Sequence, residues 1–267
     1  MKRRRPKNIL IISLLTFSLI FTGFVPTGNK RTSEYKLRRI VIDAGHGGKD
    51  PGTVGKISKE KDIALSLALQ LGKYINDLLP EVEVIYTRKS DTFIELKERA
   101  NIANRNKADL FISIHCNATS ATQVYGTETF VMGNKNFNAN FEIVKRENAV
   151  ILLEDDYEEN YEGFDPSSPE SYMMFNLMQK AYFANSLSLA EKIENDFKTR
   201  VNRYSRGVKQ APFYVLWTTG MPSVLVEVGF LSNTNEERYL NSKDGQTYIA
   251  SGLFRAIKAY KEEIESF

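Results

Sequence analysis

Histidine, cysteine and tryptophan are scarce in this chain: its 267 residues include two, one and one of them. The single cysteine, Cys116, excludes an intramolecular disulfide, so the fold must stand on its hydrophobic core. A chain of this length can build such a core, and we expect one large domain. A strong charge of either sign is also missing, with 36 basic against 33 acidic side chains. Five of the cations, Lys2, Arg3, Arg4, Arg5 and Lys7, crowd the first seven residues, and without them 31 bases face 33 acids. The folded part therefore has no basic surplus, which argues against a nucleic-acid partner. Internal repeats and low-complexity tracts are absent too.

The cationic start runs into an apolar stretch from Ile9 to Val25, and no acid occurs up to Pro26. This pattern over residues 1–27 predicts a secretory signal peptide or an N-terminal anchor, the chain's one expected contact with a membrane. Either implies export to the periplasm or cell envelope of a bacterium. No small-x-small cleavage site stands out, and no cysteine offers a lipid attachment point. Residues 28–36 turn polar, as a linker does, and the folded domain is expected over 37–267.

Within that domain short apolar runs alternate with helical stripes. Ile40-Val41-Ile42 predicts a buried strand ending in the glycine loop Gly45-His46-Gly47-Gly48. Ile63, Leu67, Leu71, Ile75 and Leu78 form a helical stripe over Glu60 to Leu79. Val82, Val84 and Tyr86 alternate as a strand, and Thr92 to Glu95 has capping-box spacing that would open a helix to about Asn106. Strands follow at Ala108 to His115 and Thr127 to Val131. After an irregular insertion over 134–180 come a helix from Ser186 to Val201, a strand from Gly207 through Leu216, a last strand from Ser223 to Phe230 and a closing helix from Gln246 to Ile264. The order predicts an α/β fold: a central, mostly parallel mixed sheet flanked by helices on both faces.

Both histidines end apolar strands, where open α/β sheets present ligand sites. His46 and His115 are therefore candidates for a shared metal centre. Extending the helical stripe back to Glu60 places a carboxylate on a buried face, costly unless paired or metal-bound, although a capping glutamate would also fit. Two imidazoles and one carboxylate suit a zinc hydrolase, in which the ion acidifies water and polarises a carbonyl. Glu227 lies in a run otherwise made of Val and Leu, where burial would raise its pKa and suit it to general acid/base work. Alternatively it could pair with Arg206 or Lys209. Cys116 follows His115 and could serve zinc or redox chemistry, but adjacent side chains in a strand face opposite ways, which favours buried filler.

Five motifs carry a family resemblance: Ile42 to Gly48 with Asp50-Pro51-Gly52, Glu60-Lys61-Asp62, Ser113 to Ala118, Arg206 to Lys209, and Pro222 to Asn233. In this order the sequence resembles the zinc-dependent N-acetylmuramoyl-L-alanine amidases. The resemblance implies one zinc ion held by His46, Glu60 and His115, with Glu227 as the catalytic glutamate. It also implies a peptidoglycan substrate, cleaved between the lactyl group of N-acetylmuramic acid and L-alanine of the stem. The insertion resembles in placement the segment with which cell-division members block their own zinc until a partner protein removes it. Glu142, Glu147 or Glu154 could then occupy the open metal position; a solvated acidic excursion is the alternative. Two other functions compete with the amidase: a catalytically silent wall-binding module, and a zinc peptidase acting within the stem.

Overall fold

The computed structural model describes residues 36–177 and 181–266; the expected leader and all of the linker but Lys36 lie outside them. Six strands, β1 (Arg39–Ala44), β2 (Glu83–Tyr86), β3 (Leu110–Asn117), β4 (Thr127–Val131), β5 (Ser205–Gln210) and β6 (Ser223–Phe230), form one sheet in the order β2-β1-β3-β6-β4-β5. All neighbours are parallel except β4 and β6, so the sheet is mixed and mostly parallel as expected. The helices are α1 (Glu60–Leu78), α2 (Leu96–Arg105), α3 (Phe137–Asn148), α4 (Tyr157–Asn160), α5 (Phe183–Thr199), α6 (Tyr214–Trp217), α7 (Thr234–Asn241) and α8 (Lys243–Glu265), with 3-10 stretches at Ala149–Leu153 and Pro169–Leu177. Among the described residues no helix is long and apolar enough to cross a membrane.

The central strands β1, β3 and β6 are largely apolar on both faces because helices cover both. Ile40, Ile42, Leu110, Ile112, Ile114, Cys116, Val224, Val226 and Val228 share one core with the apolar sides of α1, α5 and α8. The opposite rows, Val41, Phe111, Leu225 and Phe130, pack against α2, α6 and the insertion. Side chains alternate along a strand, so Asp43, Ser113, His115, Glu227 and Glu128 continue these second rows. In register His115 lies beside Glu227, and Glu227 beside Glu128. One face of the sheet thus changes from apolar to polar over a single step of each strand, and the site is built there.

Several local expectations give way to tertiary contacts. Helix α2 begins at Leu96, and its first amides are capped from afar: Leu96 N–H donates to Glu154 Oε1 at 2.9 Å and Lys97 N–H to the Tyr161 hydroxyl at 3.1 Å. Thr92 therefore does not cap it. The strand expected to run to Leu216 ends at Gln210, because Pro212 cannot donate to a ladder and Tyr214–Trp217 form one helical turn. Helix α7 has its own cap, Asn233, which accepts from the amides of Asn235 and Glu236. That signal stands in the sequence between the last expected strand and the closing helix. Ser242 caps α8, which begins three residues before the expected Gln246.

The insertion is not a solvated excursion. Ile143, Val144, Val150, Ile151, Tyr161 and Tyr172 are buried in the second core, while Asp155, Asp156, Glu158 and Glu159 remain outside as the acidic block suggests. Asn148 ties it down by accepting from Tyr214 N–H at 2.8 Å and donating to the Pro212 carbonyl at 3.1 Å.

Candidate metal centre and active site

The glycine loop after β1 turns its backbone sharply enough to aim His46 back over the sheet. His46 itself adopts a left-handed φ of 61°, an uncommon conformation for a non-glycine residue, and the surroundings hold it there. Two buried arginines grip the carbonyls of this turn. Arg88 donates to Ala44, Gly45 and Lys61 carbonyls at 2.9, 2.7 and 2.7 Å. Arg99 donates to the carbonyls of Ala44 and His46, each at 2.8 Å, and to Asp43 Oδ1 at 2.8 Å. Burial alone would raise the Asp43 carboxyl, but the Arg99 guanidinium and the Ser113 and Thr87 hydroxyls outweigh it and hold it below its ordinary value.

Neither arginine was singled out in the sequence, because a cation on an amphipathic helix or at a strand end reads as surface. Asp43→Ala would leave Arg99, 1% exposed, without its counter-charge. The expected cost is about 3–5 kcal/mol in urea unfolding; a loss below about 1 kcal/mol would mean that the carbonyl bonds suffice. Since the folded carboxyl lies below the unfolded one, its stabilising share is complete above about pH 4 and drains away as pH falls further.

His46, Glu60 and His115 converge although 14 and 55 residues separate them in turn. The imidazole rings stand 4.9 Å apart. Glu60 Oε1 lies 3.1 Å from both His46 Nε2 and His115 Nδ1. A fourth donor joins them from the insertion: Glu147 Oε2 is 3.3 Å from His46 Nε2 and 3.1 Å from His115 Nδ1. The four ligand atoms lie within 4.8 Å of one another and all four residues are buried. Glu142 is exposed on α3, and Glu154 is the cap of α2. The two expectations for Glu142 and Glu154 are corrected accordingly; Glu142 lies five residues before Glu147, about 140° around the helix, and cannot share its face.

Three of the four, His46, Glu60 and Glu147, are oriented by a further bond. His46 Nδ1 meets Asp50 Oδ2 at 2.7 Å, which leaves Nε2 with the free lone pair. Asp50, four residues on in the same glycine loop, was a signal the sequence offered. Glu60 accepts from the amides of Thr53 and Cys116, each at 2.8 Å, so its carboxylate is committed to the cluster and does not cap its own helix. The Cys116 thiol points into the opposite core. Glu147 is backed by Arg146, whose Nε donates to Glu147 Oε1 at 2.9 Å.

The donor set fits a divalent cation. Among the described residues, His46 Nε2 and Glu147 Oε2 are buried without a hydrogen-bond partner, an arrangement that interiors avoid. Tetrahedral donors at zinc-type lengths sit about 3.3 Å apart, close to the spacings found. Burial would lower both imidazoles, yet Glu60 and Asp50 hold His46 well above its ordinary pKa, and Glu147 pushes His115 up to about 9. A dication held between the rings and these carboxylates would take the place of any ring proton, because imidazole binds metal in its neutral form.

Glu227 reaches the cluster from β6. It is fully buried, and neither carboxylate oxygen has a hydrogen-bond partner among the described residues. Burial and the neighbouring carboxylates of Glu147 and Glu60 push its pKa well up. Its nearest cation is Arg146 at 3.9 Å, whereas Arg206 and Lys209 both pair with Glu128. Arg146 also donates to the Ala118 carbonyl and Asn117 Oδ1 at 2.9 and 3.0 Å, so one guanidinium from the insertion bridges the strand ends around the site.

Residues 40–259 match the family model described as N-acetylmuramoyl-L-alanine amidase, Amidase_3. The chain is 34% identical over 227 residues to the N-acetylmuramoyl-L-alanine amidase AmiC of Escherichia coli O6:H1, covering 83% of this chain and 52% of that protein. It thus spans about half the length of that relative. The crystal structure of an N-acetylmuramoyl-L-alanine amidase from Clostridium difficile 630 superposes with a TM-score of 0.63 at 26% identity, covering 85% of this chain and 97% of the other. The CwlD amidase from Clostridioides difficile, solved in complex with the GerS lipoprotein, superposes with a TM-score of 0.61 at 27% identity over 84% and 98%.

Proposed function

The chain belongs to the N-acetylmuramoyl-L-alanine amidase family, and we propose that it is an exported peptidoglycan hydrolase. It cleaves the amide between the lactyl group of N-acetylmuramic acid and L-alanine of the stem. The observation that carries this reading is the convergence of His46, Glu60 and His115 beside a buried, unpartnered Glu227. His46, Glu60 and His115 would hold one zinc ion, which would supply Lewis acidity toward the scissile carbonyl and acidify water. Asp50 keeps His46 in the tautomer that presents Nε2. Glu227 takes a proton from the attacking water and returns it to the departing L-alanine nitrogen, the role that a buried carboxyl with no hydrogen-bond partner among the described residues allows.

Four donors close a zinc site, while catalysis needs one position free. We therefore read Glu147 as an internal inhibitor, with the insertion over 134–180 as its carrier. A protein activator that draws α3 away would open the site; the structural relative solved with a lipoprotein supports looking for one. Residues 1–27 would direct export and residues 37–267 would form the catalytic domain.

The test is product analysis of digested peptidoglycan. Intact stem peptides beginning at L-alanine and sugars carrying free lactate are expected; cleavage within the stem would replace the reading with a peptidase, and no cleavage by an activated or Glu147-substituted chain would leave a binding module. For the metal, Glu60→Gln is expected to weaken zinc affinity about 10–100-fold, measured by chelator competition. An unchanged affinity would remove Glu60 from the ligand set.

A further inference from the structure

The row of polar side chains on the second face does not stop at Glu227. Beyond it, Glu128 on β4 faces two cations from the edge strand β5: Arg206 Nε lies 3.4 Å from Glu128 Oε2, and Lys209 Nζ contacts the same oxygen. Residues three apart in a regular strand point to opposite faces. Here an extra residue intervenes, since Thr127 pairs with Ser205 but Thr129 with Val208, and Gly207 at φ 83° absorbs the bulge. The bulge brings Arg206 and Lys209 onto one face. Phe230 lies under Arg206 at 5.4 Å and Phe130 under Lys209 at 5.6 Å.

One carboxylate cannot neutralise two cations. Glu128 is further engaged by Asn117 Nδ2 at 2.5 Å, and its side chain is 4% exposed, against 33% for Arg206 and 30% for Lys209. A unit of positive charge is thus left facing solvent on preformed supports. Lys209 opens on a surface groove of about 660 Å³ along Asn140 and Gln210, where Lys135 and Glu191 offset one another.

We propose that Arg206 and Lys209 form a carboxylate-binding subsite for the peptide arm of the substrate, an inference that rests on the amidase reading. Two strand spacings separate β5 from β6, roughly 10 Å, and an extended peptide covers that distance in about three residues. A carboxylate on the second or third stem residue therefore reaches the pair while the scissile amide lies at Glu227. The sugar arm offers no competing charge, because its lactyl carboxyl is consumed in the amide. Paired cations about a third exposed give a contact that selects the ionised peptide.

The experiment compares two synthetic N-acetylmuramoyl peptides that differ only in a free carboxylate or a carboxamide on the second residue. Full-length chain loaded with zinc is assayed as it stands and with Glu147→Ala. The free carboxylate is expected to lower KM about tenfold with kcat little changed. Lys209→Met reduces that preference, Arg206→Gln with Lys209→Met erases it, and Lys209→Arg restores it. A merely structural loss would slow both substrates alike and leave their ratio intact. Equal KM values in the unmodified subsite, or a preference that survives the double substitution, would overturn the subsite alone. Failure of every chain to cleave either compound would overturn the amidase reading and the subsite with it.

Discussion

Glu227→Gln is expected to lower kcat on muramoyl peptides by about 10²–10⁴-fold, the range of a lost general acid/base, with metal content and thermal stability close to those of the parent. Glutamine keeps the volume of the side chain, so the substitution removes proton transfer and little else. Among the described residues Glu227 has no hydrogen-bond partner whose loss could confuse the result. Burial and the charges of Glu147 and Glu60 hold its pKa well above the usual carboxylate range. A dication among those carboxylates would offset much of their repulsion and bring the carboxyl back toward a working value. Turnover within tenfold of the parent in the glutamine variant would assign the proton transfer to another group.

The second large effect has the opposite sign. Glu147→Ala is expected to raise basal activity by about 5–150-fold, the span of a typical coupling free energy between a site and its regulator, while three ligands retain the metal. The substitution removes the donor that closes the centre and strands Arg146, whose remaining bonds go to Ala118 and Asn117. The insertion stays anchored by Asn148 and its aromatic packing, so the gain measures the loss of the ligand without wholesale unfolding. Metal loss together with activity loss would make Glu147 a permanent ligand and would sink the inhibitory role. A parent chain already at full activity, unchanged by the substitution, would do the same.

The buried cluster was legible because it is made of residue types that have few other reasons to stand where they do. Two histidines at apolar strand ends, a glutamate on the buried side of a helical turn and a glutamate inside a Val-Leu run are each costly in isolation. Alternation along β1, β3 and β6 also fixed which side chains share a face. What resisted reading were interactions joining distant residues of ordinary type. Arg88 and Arg99 look like solvated cations in the sequence, yet the fold buries them to hold the carbonyls of the His46 turn.

The same division governs the insertion. Its acidic block was visible in the residues, but three glutamates were equivalent until helix α3 acquired a direction. Packing of Ile143 and Val144 into the second core turns Glu147 toward the histidines and Glu142 toward solvent, and Glu154 is drawn off to cap α2. Local patterns determined most of the strands, the sheet's two apolar faces and the residue types of the buried cluster, because periodicity and burial cost act over neighbouring residues. Only the tertiary structure decided that a second carboxylate, Glu147, joins the cluster as its fourth donor and that Arg206 and Lys209 turn to Glu128 instead of Glu227, because strand register and helix rotation are set by contacts between segments far apart in the chain.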